Sequence, residues 1–280
     1  MHTVLGFGEI IWDVFPDKKC IGGAPFNFCA HAKKQGADVF FVSAVGEDKL
    51  GKDAFEKIKK YGIDSRFVSV NEKPTGACKV TLDANGVPSY NLLSDVAYDY
   101  VDASAVSGKY GALYFGTLAL RGEHNREQLR RILSSCVFNE VFCDVNLRAP
   151  YYNEESVKLC VENATILKVS DEEMGELERV LYGKAESGRE EFLAKICASY
   201  PNVKLVILTM GGNGSYVYRP NTKNLFLCPA KQCKVVSTVG AGDSYSATFL
   251  VAYLSGADIM DCMKKASEVS AKIVSKKGAI

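Results

Sequence analysis

Short apolar runs alternate with helix-forming segments along most of the second half of the chain. Strands are predicted at 112–115, 140–145, 165–169, 203–209, 215–218 and 225–228, and helices at 123–135, 154–163, 171–181, 189–200, 242–254 and 258–275. Strands that alternate with helices form a mostly parallel sheet covered by helices on both faces. We therefore predict an α/β fold with three α-β-α layers and with ligands at the carboxyl ends of the strands.

The first half of the chain departs from this alternation at one place. Strands at 4–7 and 39–45 and helices at 25–36 and 51–61 continue the pattern, but the strands predicted at 66–70, 76–82 and 89–93 have no helices between them. Asn85-Gly86, between the last two, is a strong hairpin signal. We interpret the strand-only insert as a small lid, formed by about residues 12–22 and 66–96, on a single domain that spans residues 1–280.

Composition excludes several classes of partner. A chain of 280 residues with 47% hydrophobic and 24% charged residues can build a full core. Its net charge of +1 provides no field for nucleic acid or a membrane surface. The sequence contains neither a leader pattern nor an apolar stretch long enough to span a bilayer, so we expect a cytoplasmic protein. The ten cysteines form no C-x-x-C pair, which favours free thiols, and the spacing of the histidines makes a zinc site improbable.

A glycine-rich stretch near the C-terminus, residues 237–246 (STVGAGDSYS), leads directly into an apolar helical segment. A glycine turn that opens a helix leaves N–H groups unpaired at the positive end of the helix dipole, which makes a site for an anion. Asp243 would repel a phosphate there unless it takes a proton from a hydroxyl that attacks a phosphoryl group. The alternative is a tight turn with Asp243 as a helix N-cap.

A second glycine turn lies near the N-terminus. Residues 22–27 (GGAPFN) open another predicted helix, in which Asn27 lies one turn from the start, and Asp13 lies in the extended segment before the turn. A carboxylate, a diglycine that exposes its backbone and an amide offer donors and acceptors suited to a polyhydroxylated ligand. The alternative is an ordinary turn into a helix, with Asp13 as an exposed carboxylate.

The two stretches resemble the signatures of the ribokinase-like (pfkB) carbohydrate kinases. Residues 22–27 with 46–48 (GED) resemble the N-terminal signature and residues 237–245 the C-terminal one, in the right order and over nearly the whole chain. Residues 144–148 (DVNLR) and 168–173 (KVSDEE) resemble elements of the fructokinase branch, which usually has proline at the position of Val145. The resemblance implies a ribokinase-like fold and an ATP-dependent sugar kinase of fructokinase-like specificity.

The resemblance also implies roles for individual residues. Asp243 would be the catalytic base on the sugar's primary hydroxyl, and after the Gly240 turn the N–H groups of Ala241, Gly242 and Asp243 would form an anion hole for the transferred phosphoryl group. The residues that would hold the sugar are Asp13, Gly22, Gly23, Asn27 and Arg148.

A nucleotide and metal side follows from the same resemblance. Nucleotide contacts would come from Asn146, Lys168, Thr209, Gly211, Gly214 and Gly242, with Ala266, Ser270 and Gly278 nearer the adenine. Glu173 would organise Mg2+ through water, because Mg2+ retains its waters readily. The alternatives are a structural salt bridge for Arg148, a hairpin turn for the glycines at 211 and 214, and an acidic residue favoured by the helix dipole for Glu173.

Two further features bear on ions and on assembly. Ser237 stands where many relatives have an aspartate in a loop that binds a monovalent cation, and backbone carbonyls still leave K+ activation possible. Closure of the lid would exclude water and suppress ATP hydrolysis. The apolar residues Tyr90, Leu92 and Leu93 would either pair two lids in a homodimer or cover their own domain.

The leading prediction is a kinase that transfers the γ-phosphoryl group of ATP to a primary hydroxyl of a monosaccharide. The foremost substrate is fructose, which would become fructose 6-phosphate. Within the class, the alternative is a kinase for 2-keto-3-deoxygluconate or ribose. A sugar-binding protein of the same fold without transfer is disfavoured by the intact motif at 240–243. A dinucleotide-binding oxidoreductase, suggested by Gly6 and Gly8, lacks the third glycine and the following helix.

Overall fold

The computed structural model describes residues 2–15, 17–82 and 88–280, in two sheets and eight helices. The strands are β1 (Thr3–Phe7), β2 (Ile11–Val14), β3 (Lys19–Gly22), β4 (Asp38–Gly46), β5 (Asp64–Asn71), β6 (Ala77–Leu82), β7 (Pro88–Leu92), β8 (Gly108–Gly116), β9 (Cys136–Asp144), β10 (Ile166–Ser170), β11 (Leu205–Thr209), β12 (Ser215–Arg219) and β13 (Asn224–Cys228). The helices are α1 (Ala24–Lys34), α2 (Lys49–Lys60), α3 (Glu123–Ser135), α4 (Glu154–Asn163), α5 (Asp171–Tyr182), α6 (Arg189–Ser199), α7 (Ala241–Leu254) and α8 (Ile259–Val274).

The large sheet contains nine strands in the order β13-β12-β11-β10-β9-β8-β1-β4-β5. All neighbours from β11 to β5 pair in parallel, and only the pairs β11–β12 and β12–β13 are antiparallel. Successive buried residues of a strand, such as Val4 and Leu5, belong to two different core clusters. Helices α1, α2, α7 and α8 contribute to one cluster and α3, α4, α5 and α6 to the other. This arrangement confirms the predicted three-layer α/β fold with a mostly parallel sheet.

A second sheet of four strands, hereafter the small sheet, has the order β3-β2-β6-β7. The predicted lid is wrong at one strand. The strand predicted at 66–70 corresponds to β5, which pairs in parallel with β4 and so belongs to the large sheet. The predicted Asn85-Gly86 turn lies outside the described residues. Leu92 and Leu93 pack against a cluster of their own chain that includes Ile11 and Tyr98. Of the two predicted alternatives for these residues, this contact matches the one in which they cover their own domain.

One helix start lies near the functional loops. Asp48, in the GED triplet of the N-terminal signature, caps α2 by accepting a hydrogen bond from Gly51 N at 2.8 Å. The same carboxylate accepts from Thr75 N at 2.8 Å and from Thr75 Oγ1 at 2.7 Å, just before β6. Asp48 therefore fixes the connection between the two sheets, and its place in the motif is explained by the fold.

All ten cysteines are free, and eight of them are buried, as the sequence indicated. In the part of the chain that the structure describes, we find no helix with the length and apolar character that a membrane crossing requires.

Candidate active site

The N-terminus of α7 forms one wall of the site. Gly240 precedes the helix with φ +80°, and a Cβ at this position would lie 2.4 Å from the carbonyl oxygen of Ala279, so only glycine fits. The N–H of Ala241 donates to Thr238 O at 3.2 Å and so holds the turn. The N–H groups of Gly242 and Asp243 have no acceptor among the described residues. Of the three N–H groups predicted to form the anion hole, these two are therefore available to a ligand.

Asp243 meets the N-terminal turn directly. Its Oδ2 accepts a hydrogen bond of 2.8 Å from Nδ2 of Asn27, which lies in the first turn of α1. The Asn27 Oδ1 is buried and has no partner among the described residues. Since a buried acceptor without a donor is costly, a ligand hydroxyl is a natural partner for it. The two signatures, far apart in sequence, thus meet at one pair of side chains.

The pKa of Asp243 suits proton transfer near neutrality. Burial, and secondarily the charge of Asp144, raise this pKa to about 7, although the hydrogen bond from Asn27 and the charges of Lys168 and Arg148 lower it. A carboxylate with such a pKa can accept a proton in the transition state and release it afterwards.

Glu9 is a member of the site that the sequence analysis missed. It lies two residues after the end of β1 and is 2% exposed. Burial and the charge of Asp243 raise its pKa to about 7, whereas the N–H groups of Glu9 and Ala24 and the charge of Arg148 lower it. The available signal was an acidic residue close to the carboxyl end of a buried parallel strand, because such strand ends line the ligand cleft.

The predicted sugar-binding residues converge around the start of α1. Gly23 has φ +100°, and a Cβ there would lie 2.6 Å from the backbone oxygen of Glu9. Asp13, on β2 of the small sheet, is half-buried, with its Oδ2 3.8 Å from the position a Cβ would take on Gly22. Burial raises the pKa of Asp13. Arg148 is exposed, and its charge lowers the pKa of both Glu9 and Asp243.

A buried ion pair lies beneath the start of α7. Lys168 Nζ donates to both oxygens of Asp144, at 2.8 and 2.9 Å, and Ser246 Oγ donates to Asp144 Oδ2 at 3.0 Å. A Cβ on Gly242 would lie 3.4 Å from this Nζ. Burial lowers the pKa of Lys168, but the charges of Asp144, Glu173 and Asp243 more than compensate and raise it. The sequence predicts that Lys168 touches the nucleotide, whereas in the structure it lies within β10 and is 4% exposed.

Glu173 accepts hydrogen bonds from the loop after β9 and from the end of β10. Its Oε1 accepts from Leu147 N at 2.6 Å, and its Oε2 accepts from Ser170 N at 2.9 Å and Ser170 Oγ at 2.7 Å. Asn146, next to Leu147, adopts φ +42°. No group of three or more His, Cys, Asp or Glu side chains within the described ranges could hold a metal ion. Glu173 Oε1 accepts only one hydrogen bond and retains a second lone pair, which fits a metal-bound water and not direct coordination.

The predicted adenine side is only partly suited to ligand contact. Gly214 is required by the β11–β12 hairpin, since a Cβ there would lie 2.1 Å from Cys228 O, whereas Gly211 has φ +54° and open space around it. Thr209 ends β11 and is half-buried. Ala266 is fully buried in the core, so the predicted adenine contact is wrong for this residue. Ser270 Oγ donates to Ala241 O at 3.1 Å, which supports α7. Gly278 is exposed.

Solved structures share this fold over the whole chain. A fructokinase from Vibrio cholerae O395 in a form with bound fructose, ADP and calcium ion has a TM-score of 0.85 at 23% identity and covers 100% of this chain and 94% of its own. An uncharacterized sugar kinase from Pyrococcus horikoshii in complex with ATP has a TM-score of 0.80 at 26% identity, covering 99% and 93%. The fold is therefore that of the ribokinase-like sugar kinases.

Sequence comparison gives the same result. The model of the pfkB family carbohydrate kinases matches residues 5–280. This chain belongs to the pfkB family of carbohydrate kinases. Among curated relatives, a 5-dehydro-2-deoxygluconokinase of Bacillus subtilis (strain 168) is 27% identical over 92% of this chain and 82% of its own length.

Proposed function

We propose that this sugar kinase transfers the γ-phosphoryl group of ATP to a primary hydroxyl of a monosaccharide, foremost converting fructose to fructose 6-phosphate. The observation that carries the proposal is the 2.8 Å contact between Asn27 and Asp243 beside the free N–H groups of α7. It brings a hydroxyl-binding amide, a base and an anion hole to one point.

In the proposed reaction, Asp243 takes the hydroxyl proton while the sugar oxygen forms a bond to the γ-phosphorus. The bond from this phosphorus to the β–γ bridging oxygen breaks, and ADP leaves with that oxygen. The N–H groups of Gly242 and Asp243 stabilise the charge on the phosphoryl oxygens, and Lys168 places a buried positive charge directly behind them.

The remaining parts follow the same proposal. Asp13, Gly22, Gly23 and Arg148 hold the sugar, while Asn146, Thr209 and Gly211 line the nucleotide side. Mg2+ would neutralise the phosphates, with Glu173 contacting it through water, and K+ would bind at the loop of Ser237. The small sheet would act as a lid that excludes water, and two lids could pair in a homodimer. We place the protein in the cytoplasm.

A coupled ADP-release assay tests the proposal and its substrate. With Mg2+ and ATP, we expect the highest kcat/KM for fructose, with lower values for ribose, 2-keto-3-deoxygluconate and 5-dehydro-2-deoxygluconate. The second candidate is a sugar-acid kinase, which Arg148 favours because a guanidinium binds carboxylates in fork geometry. A preference for either acid would reject fructose but keep the kinase. Sugar binding without ADP release would reject the kinase itself.

The pH dependence of the reaction follows from the pKa of about 7 at Asp243. Because the base acts only when deprotonated, we expect kcat/KM for the sugar to rise about tenfold per pH unit below neutrality and to level off above pH 7. The measurement is initial rates from pH 5.5 to 9 at saturating MgATP, with single-turnover rates to confirm that chemistry is followed. A rate independent of pH between 5.5 and 7 would contradict this assignment of the base.

A further inference from the structure

His31 is a buried histidine for which the sequence analysis found no role. It lies in α1 one helical turn after Asn27 and is 1% exposed. Its Nε2 is 2.8 Å from the carbonyl oxygen of Ala279, in the segment that follows α8. A carbonyl oxygen only accepts, so Nε2 carries the proton in this hydrogen bond. The helix that supplies Asn27 is thereby attached to the segment at 278–280.

The same Ala279 lies against the turn that begins the anion hole. A Cβ on Gly240 would lie 2.4 Å from the carbonyl oxygen of Ala279 and 2.7 Å from both its Cα and its Cβ. Ile280, the next residue, packs against the core cluster that contains α1 and α7. A single carbonyl group therefore joins the helix of Asn27 to the turn that orients the N–H groups of Gly242 and Asp243.

The surroundings of His31 keep the imidazole neutral. Burial lowers its pKa to about 4, against the raising effect of the hydrogen bond to Ala279 O, and the positive charges of Lys34 and Lys276 lower it further. At neutral pH the ring is thus a neutral donor with a fixed tautomer, which suits a permanent contact better than a titrating one.

We propose that His31 is a positioning residue for phosphoryl transfer, which through Ala279 fixes the Gly240 turn relative to Asn27 and Asp243. The inference rests on the proposed function, since it assigns His31 to the geometry of the transfer step. The contact between His31 and Ala279 affects the stability of the transition state, because a small displacement of the anion hole weakens its hydrogen bonds to the phosphoryl oxygens. It hardly affects the affinity for the sugar.

The test compares three variants at equal folded fraction. We expect His31→Ala to lower kcat about tenfold with the sugar KM changed less than twofold. His31→Gln, whose amide can donate to the same carbonyl, should stay within about threefold of the parent kcat. The control is His124→Ala, which removes a bond of the same length, 2.8 Å, from Nε2 of the exposed His124 in α3 to Val101 O and should leave kcat unchanged.

A readout without turnover separates this inference from the proposed function. Hydrogen exchange of the peptide covering residues 240–247, in the ATP-free protein, should be faster in His31→Ala than in the parent, and unchanged in His124→Ala. If the parent phosphorylates no sugar, this comparison still decides whether His31 orders the turn. Equal exchange in the parent and in His31→Ala would overturn the proposal.

A change on the other side of the contact guards against a variant that does not fold. Ala279→Gly removes the methyl group that faces Gly240 and leaves His31 intact, and it should also lower kcat without changing the sugar KM. Combined with His31→Ala, it should add little, because both changes act on the placement of Ala279 against Gly240. Fully additive losses, or a His31→Gln variant as impaired as His31→Ala while folded, would contradict a positioning role.

Discussion

Asp243→Asn is expected to lower kcat by about 10²–10⁴-fold, the range for loss of a general base, with the sugar KM nearly unchanged. Asparagine has nearly the same shape and can still accept the hydrogen bond from Asn27 Nδ2 through its own oxygen. It cannot take the hydroxyl proton, so the transition state loses its base while the bound sugar keeps its contacts. Initial rates of ADP release and sugar affinity by calorimetry, measured on the same preparation, check both parts.

The matched control for this variant is Asp258→Asn. Asp258 is also an aspartate at a helix N-terminus, where its Oδ1 accepts from Asp261 N at 2.9 Å at the start of α8. Asparagine caps a helix about as well as aspartate, so neither stability nor kcat should change. If Asp243→Asn retained the parent kcat, the base would have to be another group, and Glu9 would be the first to examine.

A stability measurement gives the same variant a second readout. The folded-state pKa of Asp243 is raised to about 7 from 3.8, so its contribution to stability is present below pH 4 and is lost as the pH rises through 7. Removing the charge should therefore make Asp243→Asn melt at a higher temperature than the parent at pH 8, with the difference shrinking toward pH 5. A residue placed for stability alone would show the opposite.

The fold could be predicted from the sequence because its signals are local. Apolar runs of strand length and helices with clear starts fix the alternation, and alternation determines a parallel sheet. The lid boundary was placed wrongly because the strand at 64–71 has no helix after it, and only pairing with β4 shows which sheet it joins. Register and sheet membership depend on contacts distant in sequence.

The residues of the site likewise fall into those that short sequence motifs identify and those that only contacts distant in sequence reveal. Asp243 and Asn27 belong to short motifs, and their meeting could be expected once both were recognised. Glu9 and His31 belong to no motif, since their roles arise only where the segments after β1 and α8 meet α1. Lys168 was found in a motif but given the wrong surroundings, because burial depends on what packs above the strand.

Lys168→Met is expected to destabilise the protein by about 3–5 kcal/mol, as removal of one partner from a buried ion pair generally does. Asp144, with a side chain 3% exposed, would be left as a buried carboxylate. Its remaining donors are Ser246 Oγ at 3.0 Å and Tyr114 OH at 3.5 Å, which cannot replace an ammonium group that contacts both of its oxygens. Urea unfolding at pH 7.5 measures the loss.

The chain provides a matched control on the same strand. Lys204 Nζ lies 3.3 Å from Glu140 Oε1 in the middle of β9, but the Lys204 side chain is 51% exposed. Lys204→Met should cost about 0–1 kcal/mol, because water already solvates the Lys204 side chain and Glu140 keeps its hydrogen bond from Thr165 Oγ1. Equal losses in the two variants would mean that the burial of the Lys168 pair contributes nothing of its own.

The same variant should also change catalysis in a direction that simple unfolding does not produce. The charge of Lys168 lowers the pKa of Asp243, so its removal should move the rise of kcat/KM to higher pH than in the parent. A double variant, Lys168→Met with Asp144→Leu, removes the unpaired carboxylate and should recover much of the stability. It should not recover kcat, since the positive charge behind Gly242 is still missing. If stability and kcat recovered together, Lys168 would act only through folding, and the anion hole would depend on the two backbone N–H groups alone.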